Sequence, residues 1–521
     1  MPDPRVSARP PGQVLATVDQ PQWHVRRALA AAPAAGYVAT GLILAVASVL
    51  VARVAPLAAL VPVGALFATI AIATIRWPRA VLVLVVLTPI LDRFIAGRVI
   101  PAGAMAVAPF FSEALLLLVG GVVIWQSVRS GTFAGAVRHP ATIALAIFAG
   151  AATISALLNR VPPHIALLGL VYTLDAAVLF YLVRMAGFGH RQVRLAITVL
   201  VGVVVVGALI AVAQVILSPN ILGLTGIVGR SGEDVRIGSI VRDPNVFGTL
   251  IGLTLPFSVF AITRLPSAPQ RRMAIAITFI LTLALLLTYS RGSWLGVGAG
   301  FVVVALLLDR RALLAFALIG VLALGTAFVL PRNLLPAAPE ADGAAEVQEP
   351  FNPFESTIDR VGAIGEGRDL RWMFMTNALP ILADHPIVGV GPGRYGGAAA
   401  WNFRSPVYAE YGTDAIFPDW YVQRTVDNFW LHILIEAGVL GAAALLAAIG
   451  LILWPLFRAA PRARASHFVV AAGVVGGTAA VGLSSVTTML LEGNTVAFLF
   501  WFVLGLGSVA WTGTRRGERM A

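Results

Sequence analysis

The sequence predicts an all-α, polytopic membrane protein of about fourteen transmembrane helices, with twelve to fourteen as the range. Two observations predict it. Of the 521 residues, 58% are hydrophobic and only 12% charged, against about 25% charged in an ordinary soluble domain. The apolar stretches are continuous and about twenty residues long, the length a helix needs to cross a bilayer, whereas a β-barrel shows alternating segments of about ten. The chain has no cysteine, so disulfides and thiolate metal sites are excluded, and all 37 basic residues are arginine. A net charge of +12 would suggest nucleic acid for a soluble protein. In a membrane protein the position of the charges matters more, and no nucleic-acid partner is expected.

Residues 1–35 are polar and rich in Pro and Ala, and read as a disordered cytoplasmic tail without the apolar core of a signal peptide. Apolar runs then predict spans near 36–54, 56–75, 79–95, 104–126, 140–158, 164–186, 193–217, 245–264, 272–289, 293–309 and 312–330. The third and the tenth are short or broken by Gly and Pro. Residues 331–427 form one large polar segment. Three further spans follow near 428–455, 467–488 and 494–512, and residues 513–521 form a short cytoplasmic tail. With the N-terminus inside, 22 arginines fall on the cytoplasmic side and 15 on the other, which satisfies the positive-inside tendency. Both termini are then cytoplasmic, and 331–427 is external. Its first part, "PAAPEADGAAEVQEPFNPFE", is acidic and reads as mobile. Its second part carries a stripe of Leu370, Phe374, Ala378 and Leu382, the pattern of a helix lying in a membrane surface. The run "GVGPGRY" then forces a turn.

Three polar clusters fall on the external face. One is "GRSGEDVRIGSIVRDPNVFG", with Arg230, Arg236, Arg242, Asp243 and Asn245. Another is "TYSRGSW", with Arg291, and the third is the entry to a late span, with Arg424, Asp427 and Asn428. Arginine presents a planar, permanently charged fork of donors suited to phosphate and pyrophosphate oxygens. One external arginine is as readily a headgroup anchor as a ligand-binding group. Arg230, Arg236, Arg242 and Arg291 together favour an anionic, lipid-linked substrate.

The strings "RDPNVFGTLIGLTLPF", "LLLTYSRGSWLGV", "HPIVGVGPGRY" and "DNFWLHILIEAGVLG" stand in this order. They resemble the O-antigen ligase and Wzy-type polymerase superfamily over roughly residues 190–455. The resemblance implies a metal-independent glycosyltransferase of the GT-C type that needs no cofactor. Such an enzyme moves a glycan from an undecaprenyl-pyrophosphate carrier to an acceptor hydroxyl, lipid-linked or on a lipid, at the outer face of the bacterial inner membrane. Arg242 and Arg291 match the arginines expected to hold the donor pyrophosphate. Where ligases show a His-Asn pair this chain has Asp427–Asn428. Asp427 then either accepts the acceptor's proton or clamps an arginine such as Arg424, Arg242 or Arg291, and the aspartate form fits a polymerase better than a ligase to lipid A core.

His432 and Glu436 lie one helical turn apart inside the last long span. With no third ligand they predict no metal site, and Glu436 reads as a hydrogen-bonding partner of a neighbouring helix near "AGVLG". Trp372, Trp401, Trp420 and Trp430 are placed either to stack on sugars or to sit in an interfacial belt. Asp384–His385 read as a turn, with His385 a secondary acid–base candidate. The rival class is a lipid-linked oligosaccharide flippase, but a transporter usually shows repeated halves and a midplane site, and neither is visible here.

Overall fold

In the computed structural model, described residues are 60–99, 111–217, 227–228, 235–314, 369–416, 426–492 and 494–517, with 40, 43, 317–318, 320–321, 362 and 365–366. The chain divides into two compact units, residues 1–73 and 74–521. The described part of the first is almost entirely the start of helix α1 (Leu60–Arg76). The second holds α2 (Pro78–Val99), α3 (Phe111–Arg129), α4 (Phe133–Val137), α5 (Pro140–Leu158), α6 (Pro163–Leu174), α7 (Val178–Ala186) and α8 (His190–Ile216). A two-residue ladder, Ile227–Val228 against Val235–Arg236, precedes α9 (Pro244–Arg264), α10 (Ala268–Leu287) and α11 (Arg291–Leu307). After α12 (Leu370–Asp384) come three short helices, α13 (Ala398–Asn402), α14 (Pro406–Glu410) and α15 (Thr413–Ile416). The long α16 (Phe429–Ala459), α17 (Ala465–Ser484) and α18 (Asn494–Gly517) complete it.

Among the described residues eight helical segments are long and apolar enough to cross a membrane, α6 and α7 counting as one, and four more are shorter apolar helices. The spans expected at 36–54 and 312–330 fall largely outside the described residues.

Connections at one rim of the second unit are tied together. Arg394 reaches the Asn159 carbonyl, Arg236 the Thr288 carbonyl, Phe429 N–H the Ser485 carbonyl, and Ala398 N–H the Glu492 carboxylate. The opposite rim has its own set, in which Arg79 reaches the Ala186 carbonyl, Arg184 that of Ala136, and Arg264 pairs with Asp309.

Helices α9 and α11 both pack along α17, and glycine sets how closely. A Cβ at Gly296 would collide with Ser484 Oγ and the Ala480 carbonyl oxygen, and one at Gly300 with the Gly476 carbonyl oxygen. Two of these obstacles are backbone atoms, which cannot swing aside. Small residues at such crossings let helix backbones approach, the main source of packing energy between helices in lipid. Gly296→Leu is therefore expected to destabilise the fold by about 1–3 kcal/mol or more. The check is a lowered thermal midpoint of the detergent-solubilised protein.

Helix α16 is broken at Gly438, whose φ of 65° and ψ of −173° are non-helical. The segment His385–Gly391 fits against the break. Val439 N–H donates to the Pro386 carbonyl (2.9 Å) and Leu440 N–H to that of Ile387 (3.1 Å). In return Val390 N–H reaches the Ile435 carbonyl (2.9 Å) and Gly391 N–H that of Glu436 (3.0 Å). The helix-end groups freed by the break are thus satisfied by the turn, a condition for irregular backbone in an apolar setting. Gly389, at φ 73°, meets the Ile435 and Glu436 carbonyls so closely that no side chain fits. Two motifs that read as separate in the sequence are one interlocked structure.

Candidate functional site

Three helix N-termini open on the same rim, and each is capped by a residue of the quoted motifs. Asp243 caps α9, accepting the Asn245 and Val246 N–H groups, with Pro244 in the first turn. Ser290 caps α11 through Ser293 N–H, and Asn428 caps α16 through Leu431 N–H at 3.0 Å. The side-chain oxygen of Asn428, a residue of the third polar cluster, is thus engaged as a helix cap. N-terminal dipoles at one rim favour negative charge there.

Arg242 and Arg291 stand at the starts of α9 and α11, and Arg236 bridges the two. Arg236 donates from its terminal nitrogen to Asn245 Oδ1 (2.9 Å), which also accepts the Ser290 hydroxyl (2.9 Å), and its Nε reaches the Thr288 carbonyl (3.3 Å). Arg236 therefore ties the ladder to both helix starts and serves the scaffold. Arg242 sits in the left-handed region, φ 56° and ψ 11°, a conformation costly for a residue with a Cβ. Its Nε is buried without a hydrogen-bond partner. Arg291 opens α11, next to Gly292, at which a Cβ would strike Thr487. Arg230 and Arg424 lie outside the described residues.

The third cluster is joined to this one through the end of α17. Ser484 Oγ donates to the Gly292 carbonyl (3.3 Å), Phe429 N–H to that of Ser485 (2.8 Å), and Trp430 Nε1 to that of Gly482 (2.7 Å). Trp430 is thus a helix-packing residue, and Trp420 is outside the described residues.

Asp427, half-exposed, is held by Arg371, whose Nε (2.9 Å) and terminal nitrogen (2.8 Å) both donate to Oδ2. Among the described residues Arg371 is its ion-pair partner in place of the expected Arg242 or Arg291, and Arg424 lies outside those residues. Oδ1 carries no hydrogen bond from the described residues. Both side chains keep about a third of their surface exposed, 35% and 36%. Water screens such a pair, so its energy is at most about 1 kcal/mol and its main effect is orientation.

Arg371 rides on α12, capped by Asp369 through the Arg371 and Trp372 N–H groups. The stripe assigned to the membrane surface packs elsewhere. Phe374, Ala378 and Ile381 are buried against Tyr395, Tyr408, Val426, Leu431 and Ile435, with Leu382 at the edge. This side of α12 is protein-facing, because the turn and the start of α16 offer it an apolar bed. His385 follows the end of α12.

Glu436 was expected to bond a neighbouring helix. Instead its buried carboxylate grips the turn, accepting Gly393 N–H on Oε2 (2.8 Å) and Tyr395 N–H on Oε1 (2.7 Å). His432 Nδ1 lies 2.5 Å from the Tyr395 carbonyl oxygen, so Nδ1 carries the proton. Its Nε2 faces Glu492 Oε1 at 3.8 Å, and Glu492 Oε2 accepts Ala398 N–H at 2.9 Å. These groups fix backbone. The tyrosines here are no bases at neutral pH. Burial pushes the Tyr408 phenol up. Tyr411 is pushed up to about 12 by burial and by its hydrogen bond to Asp384.

Sequence reasoning missed Arg371, Glu492 and Arg394. The only local signal was an unexplained charge beside an apolar run, which many anchoring arginines also give.

The arrangement defines a class: a multi-pass helical membrane protein with one rim of capped helix starts, arginines and a half-exposed aspartate. Residues 276–446 match the family model described as O-Antigen ligase (Wzy_C). That match supports the resemblance to the O-antigen ligase and polymerase superfamily, and with it a ligase- or polymerase-type membrane function. It spans Arg291, Arg371, Asp427 and Glu436, and stops short of Arg242 on one side and Glu492 on the other. No curated protein matches the chain.

Proposed function

We propose that the protein is a GT-C-type glycosyltransferase of the bacterial inner membrane that polymerises O-antigen or exopolysaccharide repeat units. It transfers a glycan from an undecaprenyl-pyrophosphate carrier to an acceptor hydroxyl at the outer face. The observation that carries this reading is the shared rim, where Arg242 and Arg291 lie among three capped helix starts, and the end of α17 links them to Asp427.

In the proposed reaction the acceptor oxygen attacks the anomeric carbon as the bond to the carrier pyrophosphate breaks, with inversion. The acceptor proton passes to Asp427 Oδ1, the oxygen that Arg371 leaves free. Arg242 and Arg291 take up the charge developing on the departing pyrophosphate, in a setting where helix dipoles already favour it. These permanent cations supply the stabilisation, so the proposed chemistry requires neither metal nor cofactor. The second reading is transfer to lipid A core by a ligase, favoured by the description of the family that residues 276–446 match.

Glycan analysis of a strain lacking the protein separates the readings. A polymerase leaves single repeat units or shortened chains, and a ligase leaves full-length chains unattached. Carrier-linked units accumulating in the cytoplasmic leaflet would instead indicate a flippase and refute both.

A further inference from the structure

The turn from Gly389 to Gly396 is anchored more heavily than a connection requires. Glu436 holds the N–H groups of Gly393 and Tyr395, the residues on either side of Arg394. The Gly389 carbonyl takes hydrogen bonds from Ser155 Oγ (2.8 Å) and Asn159 Nδ2 (3.0 Å). Gly396 N–H donates to the Tyr408 oxygen (2.7 Å), and the Tyr395 hydroxyl donates to the Phe374 carbonyl (3.1 Å). Gly393, at φ 78°, lies against Ile165, and a Cβ at Gly169 would strike the Gly393 backbone. What this scaffold presents is one guanidinium.

Arg394 is half-buried. One terminal nitrogen reaches the Asn159 carbonyl at 3.3 Å, and Nε is buried without a hydrogen-bond partner. No carboxylate among the described residues pairs with it. Beside Asn159 stands Arg160, exposed and held in the left-handed region at φ 50°. A rigid backbone that places an uncompensated cation favours an anion, because the ordering cost is already met before binding. This second basic group lies on the α5–α6 side of α16, where Gly441 meets Phe148. Arg291 lies on the α17 side, so the Asp427 segment stands between the two.

We infer that Arg394, with Arg160, is a second anion subsite, distinct from Arg242 and Arg291, that takes a phosphate group carried by the acceptor. The assignment of that phosphate to the acceptor rests on the donor reading above. The reactants then meet at Asp427 from two sides, each held by its own anionic group.

The test counts bound farnesyl pyrophosphate by native mass spectrometry on the full-length protein in phosphatidylcholine nanodiscs. Two equivalents are expected for the wild type and one for Arg394→Gln, with its thermal midpoint unchanged. Arg160→Gln, an exposed change that leaves packing intact, should weaken the same equivalent about tenfold. Arg242→Gln combined with Arg291→Gln should remove the other one. Retention of every equivalent by Arg394→Gln overturns the subsite. Loss of the Arg394-dependent equivalent when phosphatidylglycerol replaces part of the phosphatidylcholine means that the site takes bulk lipid headgroups, and overturns the acceptor role. If the double variant keeps both equivalents while Arg394→Gln loses one, the donor reading fails and the anion subsite stands.

Discussion

Asp427→Asn lowers glycan transfer by about 10²–10⁴ in rate while donor binding is retained, the range for loss of a general base. The substitution keeps size and leaves an oxygen for Arg371, but removes the ability to accept a proton. Geometry makes the carboxylate suited to that role. Arg371 engages only Oδ2, from two nitrogens at 2.8 and 2.9 Å, and so fixes the direction of Oδ1. A purely structural role predicts something else: normal turnover per folded molecule, with α12 loosened and the thermal midpoint lowered. Arg371→Lys separates the roles further, since lysine keeps the charge but lacks the planar fork. If orientation matters, Arg371→Lys lowers kcat at nearly unchanged donor KM. Partial activity in Asp427→His would support a base at this position. Wild-type turnover by Asp427→Asn sinks the base assignment and makes His385 the next residue to test.

Arg242→Ala and Arg291→Ala each reduce donor use roughly ten- to a hundred-fold or more. A hydrogen bond to a charged group contributes about 1.5–3 kcal/mol, and the charge here is the leaving pyrophosphate. The two arginines are expected to differ in how they fail. Arg242 occupies a left-handed backbone position, φ 56°, beside Gly238, which has no room for a Cβ. Arg242→Gly therefore removes the guanidinium while relieving strain, and the folded protein should be as stable as the wild type with the same loss of activity. Arg291 begins α11, so Arg291→Ala leaves the cap at Ser290 intact. Lysine at either position rescues incompletely. Undiminished donor use in both Arg242→Ala and Arg291→Ala would falsify their assignment to the pyrophosphate.

What the sequence carried by itself was whatever is encoded within a few residues. Continuous apolar runs about twenty long announce membrane helices because a bilayer core needs that length and leaves no backbone group unbonded. The spans expected from near 245, 293 and 428 begin within two residues of those positions, at Pro244, Arg291 and Phe429, because the apolar run starts where a short polar side chain can bond the first free N–H groups. The likeness of four ordered strings to one superfamily was legible too, and the matched segment 276–446 contains three of them.

Pairing across long separations was decided only by the tertiary structure. Arg371 meets Asp427 at a separation of 56 residues, and Glu436 meets Gly393 at 43. In the sequence either acid had several equally near arginines or backbone donors to choose from. The stripe of α12 illustrates the same limit. Its period says that one face is apolar, and only the packing of Phe374 and Ala378 onto Tyr395 and Ile435 says that protein, not lipid, covers it. Gly438 is the clearest case. A glycine in a continuous apolar run permits a helix to break, but the break occurs because Pro386 and Ile387 supply carbonyl oxygens for the N–H groups it frees. Local sequence sets which conformations are affordable, and the partner that arrives from elsewhere in the chain selects among them.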